Sequence, residues 1–276
     1  MFDYPWGDFA LNLLVTAVAV VVFFAIVMAI AHLVNDHSII DITWGPAFVV
    51  IAVVSWLMSA GSDGDDTRRL IVVLLTAIWG LRLGLYIGRR NIGKGEDPRY
   101  TALLRSRKGR PLIPFLVKKI YGMQAVLAWI VSIPVQFAVY VSRGIDALVI
   151  VAIVIWTIGF LFESVGDWQL SRFKADPANA GKLMDRGLWA WTRHPNYFGD
   201  ACVWVGLFLL TLGSPWGVLT VFSPILMTWL LTTFSGAKLT EKGMRRKRGP
   251  EFDAYVARTS GFFPRPPRKV ASERNG

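Results

Sequence analysis

Phe9–Val34 reads FALNLLVTAVAVVVFFAIVMAIAHLV, an apolar run interrupted only by Asn12, Thr16 and His32. A helix rises about 1.5 Å per residue, so about 20 such residues cross the ~30 Å hydrocarbon core of a bilayer. Apolar side chains all round a helix leave no face for water. The run therefore predicts a membrane span. Met1–Asp8, before it, is acidic rather than basic, and no small-residue cleavage pattern follows. It reads as a permanent first span, not a cleaved leader.

Six further segments repeat the pattern: about Ile40–Ala60, Leu70–Gly88, Leu112–Val141, a stretch apolar from Ala147 to Phe162, Tyr197–Leu212 and Trp216–Phe234. Pro134 predicts a kink or helix boundary in the fourth. The connecting loops alternate in charge. Gly88–Arg110 holds eight Lys or Arg against Glu96 and Asp97, and Asp167–Arg193 and the segment from Lys242 to Arg248 are also basic. Gly61–Asp66 carries three aspartates instead, and the turns near Arg143–Asp146 and Gly213–Pro215 are short and nearly neutral. Basic loops stay cytoplasmic. The expected fold is all-α: a polytopic transmembrane helical bundle of about seven spans, N-terminus outside and C-terminus cytoplasmic.

Composition agrees. Of the 276 residues 54% are hydrophobic and 18% charged, against about 45–50% and about 25% in soluble domains. The net charge of +11 sits in loops beside apolar runs. It reads as the positive-inside pattern facing anionic membrane lipids, not as a nucleic-acid surface. The only cysteine, Cys202, and the scattered His32, His37 and His194 argue against a disulfide or a metal site. Residues 1–264 read as one transmembrane domain and 265–276 as a basic disordered tail. Trp44, Trp56, Trp79, Trp189, Trp191, Trp204 and Trp216 fall near proposed span ends, where most are expected to form an interfacial belt.

Ionisable groups within a bilayer cost at least ~2.5–3.5 kcal/mol each at mid-helix and call for a reason. Asp41, among Ile39, Ile40 and Ile42, reads either as a proton donor or substrate-orienting carboxyl, or as a helix N-cap at the membrane surface. Trp79, Arg82 and Tyr86 share one helical face. That face reads either as a polar cavity with Tyr86 as hydroxyl donor, or as packing through Gly80 and Gly84 with Arg82 snorkelling. Glu163 and Asp167, four apart at the expected cytoplasmic end of the fifth span, repel each other unless a ligand or a cation such as Arg193 engages them.

The densest polar stretch is Asp185–Asp200, which contains Arg193-His194-Pro195-Asn196-Tyr197. Pro195 suits the first turn of the sixth span. The amides there, with Arg193 and Arg186 nearby, suit an anion. Asn196 and Asp200 share a face one turn deeper. Asn offers a donor and an acceptor and Asp an acceptor, which is what a carboxamide such as nicotinamide needs.

Gly187-Leu188-Trp189 with Arg193-His194-Pro195-Asn196-Tyr197-Phe198-Gly199-Asp200 resembles the C-terminal signature of the steroid 5-alpha-reductase-like family, in particular its bacterial branch. The resemblance extends to Asp41–Gly45, Trp79–Leu83, Gly95–Tyr100 and the closing Tyr255 with Phe262-Phe263-Pro264, so it covers nearly the whole chain. It implies a seven-span membrane enzyme of the bacterial inner membrane. Such an enzyme reduces an activated carbon–carbon double bond in a hydrophobic, lipid-like substrate with NADPH. By the same resemblance Asn196 and Asp200 match the nicotinamide-side residues. Asp167 matches a cofactor carboxylate, and Glu163 stands where the family often has Asn. Lys174 falls at a phosphate-binding position. Arg186, Arg193, His194 and Tyr197 complete the cofactor set. Asp41 is the best match to the substrate-carbonyl carboxyl. Trp79 stands where the steroid enzymes place a carbonyl-binding tyrosine, with Tyr86 as substitute.

The Arg-His-Pro-x-Tyr pattern also resembles S-adenosylmethionine-dependent membrane methyltransferases of the isoprenylcysteine and phospholipid type. Those add a downstream Glu pair. This chain has Glu241 and Glu251 but no adjacent pair, so the reductase resemblance leads. A non-enzymatic lipid-binding protein would leave Glu163, Asp167, Asn196 and Asp200 without a use.

Overall fold

The computed structural model describes residues 4–234 and 236–268. Among them the chain is all-α. Seven helical stretches are long and apolar enough to cross a membrane, as expected from the hydropathy runs. Helices α1 (Trp6–Val34), α2 (Ile39–Met58) and α3 (Asp66–Asn91) carry the first three spans, and α4 (Pro98–Arg105) is a short connector. The fourth span, α5, covers Leu112–Val131. It stops short of the expected Val141, because the chain breaks at Ser132 and restarts as α6 (Ile133–Ala138) with Pro134 in its first turn. Next come α7 (Ala147–Ala175) and α8 (Pro195–Leu209). The seventh stretch joins a 3-10 segment, α9 (Phe222–Trp229), a π turn and α10 (Ala237–Arg248), before α11 (Pro250–Arg258).

The chain divides into two compact units, Met1–Ile150 with Leu207–Ser223, and Val151–Gly206 with Pro224–Gly276. In the first, α2 and α3 touch backbone to backbone. A Cβ on Gly45 would lie 2.2 Å from the Gly80 carbonyl oxygen, and one on Gly84 would lie 2.9 Å from Pro46. The expected small-residue packing of Gly80 and Gly84 is thus present. The polar breaks in α1 face inward. Thr16 donates to Gln136 Oε1 at 2.6 Å, and Asn12 reaches the same oxygen at 3.4 Å. Buried polar groups need such partners.

Arg68, fully buried, fastens one end of this unit. Its guanidinium donates to the carbonyls of Arg143 (2.8 Å), Gly144 (3.0 Å) and Leu210 (2.6 Å). At the other end Glu96 accepts the His37 amide and the Thr101 hydroxyl, while His37 Nδ1 pairs with the Tyr121 hydroxyl at 2.8 Å. The loops expected on one membrane side therefore meet one another.

In the second unit α7 and α8 pack through glycines. A Cβ on Gly199 would lie 2.4 Å from Gly159 O, and one on Gly206 would lie 2.8 Å from Ala152 O. Trp79 and Trp204 are fully buried, which corrects their expected place in the interfacial belt, whereas Trp56, Trp191 and Trp216 are exposed. Of the expected tail, the amide of Arg265 donates to Trp191 O and that of Arg268 to Arg258 O. Residues 269–276 lie outside the described ones.

Candidate functional site

The second unit gathers most of the candidate residues. Helix α7 runs on to Ala175, so Glu163 and Asp167, just past the apolar stretch that closes at Phe162, lie inside a long helix rather than at its end. Both are buried at 3% exposure. The glycines place them. Gly199 brings the α8 backbone against Glu163, where a Cβ would fall 2.5 Å from the Glu163 amide nitrogen. One turn further along α7, Gly166 leaves room for the Pro195 ring. Asn196, the next residue, donates its amide to Asp167 Oδ1 at 3.3 Å. Asp200 is buried one turn deeper on the same helix. Asn196 of α8 thus bonds a carboxylate of α7 while Gly199 holds the α8 backbone against Glu163, the juxtaposition of the two spans that the family resemblance implies.

Arg193 takes a different partner from the one expected. It engages Glu241 rather than Glu163 or Asp167. Its Nε and second terminal nitrogen donate to the two Glu241 oxygens at 2.9 and 3.3 Å, and its remaining arm donates to Thr259 O at 2.7 Å. A guanidinium fork suits a bidentate carboxylate. His194 Nε2 shares Glu241 Oε1 at 2.9 Å, and its ring stacks on Tyr197 with centroids 5.2 Å apart. Glu241 is therefore the central acceptor of an Arg-His-Glu cluster, and sequence reasoning did not place it there.

The loop before the cluster is clamped from both sides. Leu188 N donates to the Gln169 side chain, and Trp189 Nε1 donates to Gly166 O at 3.0 Å. Gly187 at φ +59 passes so close to Gln169 that a Cβ would lie 2.5 Å from it, a place for glycine alone. On the C-terminal side Tyr255 donates to Trp189 O at 2.5 Å, Thr192 donates to Phe262 O, and Arg258 pairs with Asp185. Burial pushes the Tyr255 phenol well above its ordinary pKa, so it stays a donor. Lys174 and Arg186, the phosphate candidates, are exposed. Arg186 lies over the Phe173 ring at 5.3 Å and donates to Asn179, so it is turned toward the end of α7 that carries Lys174.

The first unit holds the two remaining candidates. Asp41 is not a helix N-cap; that position belongs to Ser38. Asp41 lies in the first turn of α2 and accepts the Tyr100 hydroxyl at 2.6 Å and an Arg99 nitrogen at 2.7 Å. Arg99 also donates to Asp97. Burial opposes ionisation of Asp97, but the hydrogen bonds from Arg99 outweigh it and hold the carboxyl below its usual range. Burial and the neighbouring Asp41 charge push Tyr100 up. Tyr86 sits half-buried on α3 with the Arg90 guanidinium 5.7 Å from its ring.

Residues 27–259 match one family over most of the chain. The chain belongs to the DUF1295 family. That family is described as "protein of unknown function". A relative in Schizosaccharomyces pombe, an uncharacterized protein, is 23% identical over 235 residues, covering 74% of this chain and 66% of its own length. The chain thus spans just under two thirds of that relative. No solved structure matches the chain. It is a multi-pass membrane protein of this family, surrounded by membrane lipid.

Proposed function

We propose that this DUF1295 chain is a membrane reductase that uses NADPH to reduce an activated carbon–carbon double bond in a hydrophobic, lipid-like substrate. The observation that carries the reading is the group formed where α7 and α8 touch by the buried Glu163, Asp167 and Asp200 with the half-buried Asn196, which donates to Asp167. Carboxylates buried on a membrane-spanning helix are rare and mark functional sites. A nicotinamide carboxamide would accept from Asn196 and donate to Asp167 or Asp200. The exposed Lys174 and Arg186 at the end of α7 would meet the phosphates.

Bound NADPH would supply hydride to the β carbon of the activated double bond. The chain's part is to hold the cofactor, exclude water from it and polarise the substrate carbonyl oxygen. Asp41, engaged by Arg99 and Tyr100, fits an orienting carboxylate better than a proton donor. Tyr86 is the hydroxyl assigned to the carbonyl. The bacterial inner membrane is the proposed location.

A second reading draws on the Arg193-His194-Glu241 cluster, since an Arg, a His and a downstream Glu together suit a membrane methyltransferase that binds S-adenosylmethionine. Thermal unfolding of the detergent-solubilised protein separates the two. Ligand at a hundred times its dissociation constant should add about 2.7 kcal/mol. NADPH should stabilise the protein, and Asn196→Ala and Asp200→Ala should each abolish that effect while staying folded. Stabilisation by S-adenosylmethionine alone sinks the reductase reading. Unchanged NADPH binding in both variants removes those residues from the site.

A further inference from the structure

From Pro98 to Ile145 the chain has no Asp or Glu, yet it carries a dense run of cations before and within α5. The backbone curls this run tightly. Lys108 sits at φ +48 and Gly109 at φ +81, and Arg107 donates to Arg110 O at 2.6 Å. A left-handed lysine is an unfavourable conformation that a functional loop can retain. Just beyond it, Val117–Tyr121 forms a π turn. Gly122 permits that turn, because a Cβ there would lie 2.5 Å from Val117 O. Single π turns inside helices are frequent at functional sites.

These two irregularities border a cavity of about 460 Å³ lined by Arg110, Pro111, Pro114, Phe115, Lys118 and Lys119. Its wall is half cationic and half apolar, with no carboxylate among the lining residues. On α5 itself, Ile113 and Val117 are 50% and 44% exposed, so lipid-facing side chains stand beside the cations. The arrangement is that of an amphiphile site, with charge for a head and an apolar flank for chains. Basic pockets at the cytoplasmic ends of spans recognise anionic headgroups.

We propose that this cavity binds the phosphate headgroup of an anionic phospholipid through Arg110, Lys118 and Lys119, with the acyl chains running along Ile113 and Val117. The site lies wholly in the first unit and is independent of the reductase reading. It is distinct from general attraction to a negative surface, because it needs these three cations and not others.

Native mass spectrometry of the full chain with added phosphatidylglycerol or phosphatidylcholine tests it. Each basic residue near an anionic surface is worth about fivefold in binding, so three should be worth about a hundredfold. Phosphatidylglycerol should be retained in preference to phosphatidylcholine. The triple variant Arg110→Gln, Lys118→Gln, Lys119→Gln should lose about two orders of magnitude of that retention. A control, Lys242→Gln, Arg246→Gln, Lys247→Gln, removes as many charges from the outer face of α10 and should retain the lipid. All six side chains are exposed, so both variants should fold, and their unfolding temperatures check this. Equal retention in the wild type and the first variant overturns the proposal. So does an equal loss in the control, which would reduce it to bulk charge. Displacement of the lipid by inorganic phosphate at matched concentration would make the site one for a free anion, and also overturns it.

Discussion

Glu241 stands 48 positions from Arg193, and no spacing rule connects residues so far apart. Its role follows only from α10 returning beside the Arg-His-Pro turn. The same holds for Asp41, whose partners Arg99 and Tyr100 lie in a later loop. What could be read was chemical type. A carboxylate among isoleucines needs a partner, and Asp41 has two. Replacing Glu241 with Gln keeps its shape but removes its charge from Arg193, which is only 13% exposed. Losing charge-assisted hydrogen bonds there should cost about 1.5–3 kcal/mol. Glu241→Ala, which also opens a space, should cost more. Thermal unfolding of the two variants reads this directly, and unchanged midpoints in both would remove the cluster from any part in stability.

At the scale of elements, hydropathy gave the spans their centres but not their ends. The fifth run loses apolarity at Phe162, yet α7 continues for more than three turns beyond. Those turns pack Glu163, Gly166 and Gln169 against α8 and the Arg-His-Pro loop, so burial there is specific rather than apolar and periodicity does not reveal it. The fourth run shows the opposite. Its apolar stretch extends past Val131, but Pro134 has no N–H to continue the helical ladder, so the helix breaks at Ser132 and restarts with the proline in its first turn. The glycine seam between α7 and α8 makes a sharp contrast. Gly199→Val would drive a side chain into the Gly159 carbonyl and the Glu163 backbone and should separate the helices, with loss of folded protein in detergent. Gly243 in α10 has nothing within 4 Å of its would-be Cβ. Gly243→Ala should raise stability by roughly 0.5–1 kcal/mol, since alanine favours the helix. If both variants unfold at the wild-type temperature, the seam carries no packing energy.

For the whole molecule, seven spans would put the segments before the first and after the last on opposite sides of a membrane, and the basic loops predict which side faces the cytoplasm. The number of spans was legible because each crossing must be apolar along its length. The return of the chain to its first unit was not, since no local pattern marks which spans share a core. In a Cys202→Ser background, Asp63→Cys should react with an impermeant thiol reagent only from outside the cell. Lys247→Cys should react only after the membrane is opened, and labelling of both from one side would refute the topology. The Arg68 anchor adds a constraint in time. Two of its carbonyl acceptors, Arg143 and Gly144, are synthesised before the fifth span, but the third, Leu210, arrives only near the end of the sixth. While the intervening spans are being made, this guanidinium holds an incomplete set of partners. The full three-acceptor anchor can therefore form only once the chain has been made as far as Leu210. A chain cut off before Leu210 would lack one of the three acceptors, and its turn at Arg143–Gly144 should be cleaved by added protease sooner than in the full chain.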